Sequence, residues 1–172
     1  MKKYHLPTLI DQNNLANFSK INQEIKDHLF FLNKQAFIIK IKNYLNDYNN
    51  NNKEKIKSFY FSFTSEYDDR GGYFTCSNAT PQFVNEDDEN NDIQYTISDN
   101  LVDILGFHFD NDTASEILND KRINIKTCEK DLMKLLFNKE EMNLIDSAKT
   151  KLEIENKVNK KNINSSPHHK KI

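Results

Sequence analysis

A chain of 172 residues is long enough to bury a core of its own and short enough to read as one domain. Its hydrophobic fraction of 37% is low for a globular protein, yet 12 Phe and 7 Tyr are too many large apolar side chains for a wholly disordered one. The net charge of −2 hides a division: residues 65–120 hold 14 acids against one Arg, net −13, while residues 1–64 carry +5 and residues 121–172 carry +6.

The start, Met1-Lys2-Lys3-Tyr4-His5-Leu6-Pro7, has basic residues with no apolar run behind them, so no secretory signal is expected. No stretch approaches the roughly 18 uninterrupted apolar residues of a membrane span. Two distant cysteines, Cys76 and Cys128, indicate no disulfide framework and suit a reducing cytoplasm. Asn, Ile and Lys are abundant and Ala and Gly scarce, the bias an AT-rich genome produces, so the many Asn residues take no functional weight.

In chain order, Leu15, Phe18, Ile21, Ile25, Leu29, Leu32 and Ala36 recur at steps of three or four and predict a helix, with Asn13 or Asn14 as its cap. Phe37, Ile41, Tyr44, Leu45 and Tyr48 keep that period, either in the same helix or in a second one after a break near Asn33–Gln35. Asn49–Asn52 ends it. The period then drops to two. Phe59, Phe61 and Phe63 share one face of a strand and Tyr60, Ser62 and Thr64 the other. Tyr73–Ser77 is a second strand, joined through the hairpin loop Glu66–Gly72, where Gly71 and Gly72 supply the conformational freedom of a turn.

Pro81 and the acidic run Glu86–Asn91 mark a looser connection. Ile93–Ile97 alternates and is expected as a third strand. Ser98 or Asp99 would cap a short helix holding Leu101, Val102, Ile104 and Leu105, with Gly106 ending it. Asp112 or Thr113 with Glu116 suggests the cap of another short helix through Leu118. Thr127 would cap a helix holding Leu132, Met133, Leu135, Leu136 and Phe137. A last helix starts near Lys139 and carries Leu144, Ile145, Ala148 and Leu152. The expected organisation is one α+β domain over residues 1–158, comprising an N-terminal helix or helix pair, a small antiparallel sheet of about three strands with an acidic hairpin, and C-terminal helices. Residues 159–172 would form a disordered basic tail.

The chemistry-bearing clusters are few. Glu66-Tyr67-Asp68-Asp69 could bind a divalent cation or do acid–base work, but it lacks the alternating spacing of a calcium loop, and a solvated turn accounts for it. His108-Phe109-Asp110-Asn111-Asp112 has one His where zinc sites want more His or Cys, and a loop leading into a helix cap explains Asp110 and Asp112. Cys76 or Cys128 with His108 could make a nucleophile–base pair only if the fold joined them. Three glycines cannot supply a dinucleotide fingerprint or a P-loop, and no zinc finger or RNA-recognition motif occurs.

That leaves the acidic block. A cluster of like charges costs stability through self-repulsion, and facing a basic partner it speeds association and rejects wrong partners. The partner-binding candidates are Glu66, Tyr67, Asp68, Asp69, Glu86, Asp87, Asp88, Glu89, Asp110 and Asp112. No catalytic or metal-binding residue and no cofactor is implied, and neither direct nucleic-acid binding nor membrane binding is expected.

A helix followed by Phe59-Tyr60-Phe61-Ser62-Phe63, the turn Glu66-Tyr67-Asp68-Asp69-Arg70-Gly71-Gly72-Tyr73-Phe74 and C-terminal helices resembles bacterial toxin-immunity proteins of polymorphic and contact-dependent toxin systems. The likeness covers about a quarter of the chain. It implies a small cytoplasmic, non-enzymatic inhibitor of a basic toxin, often a nuclease. Two alternatives stand beside it: a mobile-element nucleic-acid mimic that blocks a defence nuclease, and a metal-dependent enzyme built on the hairpin carboxylates.

Overall fold

The computed structural model describes residues 15–67, 73–85 and 91–164. Helix α1, Leu15–Asn51, runs for 37 residues, so of the two alternatives the single continuous helix holds and there is no break near Asn33–Gln35. Nothing between its ends is Pro or Gly, so no residue there forces an interruption. At about 1.5 Å per residue it is ~55 Å long. Its fully packed residues lie toward the C-terminal end: Phe37, Ile38, Ile41 and Leu45 are buried, while Ile25, Leu29 and Leu32 face solvent. The polar run at its end has a structural task. Asn49 donates to the Ile56 carbonyl at 3.0 Å and accepts from the Ile56 amide at 2.8 Å. Lys55 reaches back to the carbonyls of Asn49 and Asn52 at the helix C-terminus.

Strands β1, Ile56–Tyr67, and β2, Tyr73–Phe83, pair antiparallel as expected, with Phe59 opposite Pro81, Phe61 opposite Ala79 and Tyr67 opposite Tyr73, while the acidic turn expected between them lies outside the described residues. Strand β2 runs on through Pro81, expected as a connection. Proline is tolerated there because β2 lies at the edge of the sheet, whose order is β2-β1-β3.

The third strand is not Ile93–Ile97. Those residues are the first turns of α2, Asn91–His108. Their alternation is real, but Ile97, Leu101, Leu105 and His108 recur at helical steps and are the buried set, while Tyr95 is 70% exposed. Ser98 and Asp99 are therefore mid-helix and cap nothing, and Gly106 lies within α2 rather than ending it. Strand β3 is only Ile123–Asn124, antiparallel to Phe59 and Ser58. Asn119 extends the sheet by accepting from the Phe63 amide at 3.1 Å, and the Asp120 amide donates to the Phe61 carbonyl at 2.8 Å. Asp120 takes φ 54° to do so, a conformation Asp tolerates better than most residues.

Helix α3, Asn111–Leu118, is capped by Asp110, one turn earlier than the arrangement expected around Asp112 and Glu116. A 3₁₀ turn, Ile125–Thr127, leads into α4, Cys128–Leu136. Thr127 stands at the cap position, but its hydroxyl donates to Asp131 at 2.7 Å and leaves the helix backbone uncapped. Helix α5, Lys139–Asn164, opens with a reciprocal capping box: Glu141 accepts from the Asn138 amide at 3.0 Å, and Asn138 accepts from the Glu141 amide at 2.9 Å. The apolar period stops at Val158, yet the helix continues to Asn164.

One core joins these elements. Phe59 and Phe61 of the sheet meet Phe37 and Ile41 of α1, Leu101 and Leu105 of α2, Leu118 of α3 and Leu132 of α4. Phe37 is the hub, with ring centroids 6.4 Å from Phe61 and 5.1 Å from Phe109. The opposite sheet face is polar. There Ser58 donates to Gln82 at 2.9 Å, and Arg122 lies across both, donating to Ser58 at 3.1 Å and to Gln82. Among the described residues no helix is long and apolar enough to cross a membrane.

Candidate functional site: an acidic helical face

The predicted partner-binding residues divide in three. Glu66 and Tyr67 end β1. Asp68, Asp69, Glu86, Asp87, Asp88 and Glu89 lie outside the described residues. Asp110 and Asp112 lie at the start of α3, and Asp110 is chiefly structural. Its carboxylate accepts from the Thr113 amide at 2.9 Å and the Thr113 hydroxyl at 2.8 Å, and these bonds hold it below the usual carboxylate range.

What the fold does assemble is a row that residue listing alone missed. Segment 91–120 contains seven acids and no Lys or Arg. All seven, Asp92, Asp99, Asp103, Asp110, Asp112, Glu116 and Asp120, are exposed. At 100° per residue, Asp92, Asp99 and Asp103 fall within about 20° of one line along α2, opposite the buried stripe of Leu101 and His108. A rise of about 1.5 Å per residue separates them by ~10 Å and ~6 Å along the axis. The signal was the 7-4 spacing of Asp92, Asp99 and Asp103. Reading residues 93–97 as a strand removed the helix on which that spacing has meaning.

Two aromatic side chains flank the row: Tyr95, 70% exposed, on one side and Phe107, 83% exposed, on the other. They stand ~18 Å apart along α2. Aromatic rings are enriched at protein-binding surfaces, whose rims are polar.

The other clusters carry less chemistry. His108 is buried against Phe37, with ring centroids 6.1 Å apart and neither ring nitrogen hydrogen-bonded. Burial, helped by Lys40, pulls its pKa below the ordinary imidazole value. Burial pushes the Cys128 thiol up to about 12, so it is a thiol and not a thiolate at neutral pH. Cys76 sits in β2 opposite Thr64. Among the described residues no three His, Cys, Asp or Glu side chains come together as a metal site would require.

Positive charge gathers elsewhere. Lys42, Lys126, Lys130, Lys134 and Lys149 line a groove of about 780 Å³ between α1, α4 and α5. One of the five, Lys42, is paired with Glu129 at 2.7 Å, which raises the pKa of the lysine and lowers that of the carboxylate. The division of charge along the sequence is thus also a division in space between α2–α3 and the α1–α4–α5 groove.

Comparison with known protein families, with curated proteins and with solved structures finds no match to this chain.

Proposed function

We propose that this protein is a non-enzymatic inhibitor that binds a basic protein through the acidic face of α2 and α3, acting as an immunity protein toward a toxin such as a nuclease. The observation that carries the reading is the line Asp92, Asp99 and Asp103, exposed on one helix in a segment of thirty residues without a cation. Like charges in a row repel one another, whereas a basic surface opposite them turns the same field into faster association and selectivity. Tyr95 and Phe107 supply the apolar anchors that charge alone does not. The outline shared with toxin-immunity proteins points the same way.

The test is affinity capture of the native partner at low and moderate salt, followed by kinetics with the Asp99→Lys/Asp103→Lys variant. A basic partner should be recovered, and the charge reversal should slow association at least about 10-fold at low salt, with the difference shrinking as salt rises. Recovery of no basic partner, or association indifferent to the reversal, removes the proposal. Competition by duplex DNA for the same partner would shift the reading to a nucleic-acid mimic.

A further inference from the structure

Helix α1 carries two apolar stripes, and the core uses one. Phe37, Ile41 and Leu45 face the sheet and α2. About 180° away around the helix run Ile25, Leu29, Leu32, Ala36 and Ile39. Leu29 is 55% exposed and Ile39 57% exposed, and Ile25 and Leu32 are exposed as well. Their spacings are 4, 3, 4 and 3. Extended toward the N-terminus, the same alternation passes through Asn22 and reaches Phe18 and Leu15. That is the a/d repeat of a coiled coil, held from Leu15 to Ile39 with one polar residue, Asn22, at an a position.

A second observation concerns support. Along residues 19–29 every side chain is exposed except that of Ile21, which is half-buried. Ring contacts tie the helix to the body at Phe30, against Phe109, and at Phe31, against Phe137. A helical segment this exposed is marginal by itself in water, and a partner helix on its apolar stripe is the usual remedy.

We infer that this stripe is a coiled-coil seam and that its occupant is the same stripe of a second copy of this chain, parallel and in register. The choice of occupant rests on the period. A seam that alternates four and three accepts a helix with the same alternation, and this helix provides one. Register follows from Asn22, which in a parallel pair faces its own counterpart and satisfies its amide there. The body of each copy lies on the far side of α1, so pairing leaves the core and the acidic face of α2 untouched. The seam is ~36 Å long and a helix ~10 Å wide, a footprint on the order of 400 Å² per partner. That is about half a standard interface, the size of weak and transient contacts, so association should need high protein concentration.

Sedimentation velocity on the full chain tests this, from about 1 µM to about 1 mM. The unaltered protein should move from monomer to dimer across that range. Leu29→Asp/Leu32→Asp replaces exposed residues only, so at about 1 µM, where both proteins are monomers, its urea midpoint should match that of the parent, while association weakens at least about 100-fold. Asn22→Ile should tighten association at least about 10-fold or raise the assembly above a dimer. A monomer at every concentration overturns the inference, and so does a dimer indifferent to both variants.

Discussion

Lys34 and Glu141 join α1 to the start of α5 in a contact whose two halves are unequally buried. The ammonium lies 2.8 and 3.0 Å from the two carboxylate oxygens; the Lys34 side chain is 7% exposed and that of Glu141 21%. The ammonium also sits 4.8 Å from the Phe30 ring centre and 5.2 Å from that of Phe137. Glu141→Gln keeps the shape and can keep the capping bond from the Asn138 amide, but it leaves a buried cation without its counter-ion. Breaking a fully buried pair costs about 3–5 kcal/mol. The two rings return part of that, at about 0.5–2 kcal/mol, so a loss of ~2–3 kcal/mol is expected. Lys34→Met removes the buried charge itself, and the stranded carboxylate can rotate toward water while still bonded to Asn138. Its cost should be ~1 kcal/mol, and the double variant should cost no more than the glutamine change alone. Urea denaturation at neutral pH reads all three midpoints, and for a chain of this size ~2 kcal/mol also lowers Tm by about 4–8 °C. A methionine variant as destabilised as the glutamine variant, or strictly additive losses, would refute the idea that burial of the cation sets the cost.

Three further outcomes follow from single sites. Ser98→Ala deprives the buried Ala79 amide of its acceptor at 3.2 Å and Asn78 of a donor at 2.6 Å, and should cost about 1–3 kcal/mol in the same denaturation assay. Asp110→Ala removes the α3 cap and should cost ~1 kcal/mol, whereas Asp110→Asn should cost less. Because Thr113 holds the Asp110 carboxyl below its ordinary value, its contribution is present above the unfolded carboxylate pKa and is lost as pH falls through the folded one. Asp110→Asn should therefore flatten the stability curve on the acid side of pH ~4. His108→Phe keeps the contact with Phe37 and removes a ring whose nitrogens lack partners. With its pKa lowered by burial, His108 contributes stability that is present above its unfolded value near pH 6.5 and is lost as pH falls through the lower folded value. The phenylalanine variant should gain most over the parent on that acid side, and a constant difference across pH 5–8 would contradict the assignment.

What the sequence made legible depended on whether a pattern had one solution. Phe59, Phe61 and Phe63 alternate with Tyr60 and Ser62, no helix fits them, and β1 lies where expected. Ile93-Gln94-Tyr95-Thr96-Ile97 also alternates, but Ile93 and Ile97 are equally four apart, so the same five residues fit either period. The choice was made outside the segment by Leu101 and Leu105, which extend the four-step series onto β2 and α1. Strand β3 could not be read at all, because Ile123–Asn124 is held by its neighbours and has no periodicity of its own. The Asn bias concealed structure in a different way. Asn49 and Asn119 stand in for missing strand partners by bonding the backbone of Ile56 and Phe63. A side-chain amide offers the donor and acceptor of a peptide group, so composition alone cannot separate such residues from filler.

Helix α1 shows the same ambiguity at the scale of function. Its two stripes together make the helix apolar on opposite sides, which sequence periodicity reports simply as a helix. Only the position of the sheet distinguishes them, because Phe37 and Ile41 are within reach of Phe61 and Ile25 and Leu29 are not. Once the core has taken one stripe, the other is surplus to folding, and its regular spacing from Leu15 to Ile39 becomes information about association. The acids of α2 obey the same logic, since Asp99 and Asp103 contribute no bond to the core they border. In both helices the residues that folding leaves over are ordered along one face, and it is this order that the two proposed contacts would use.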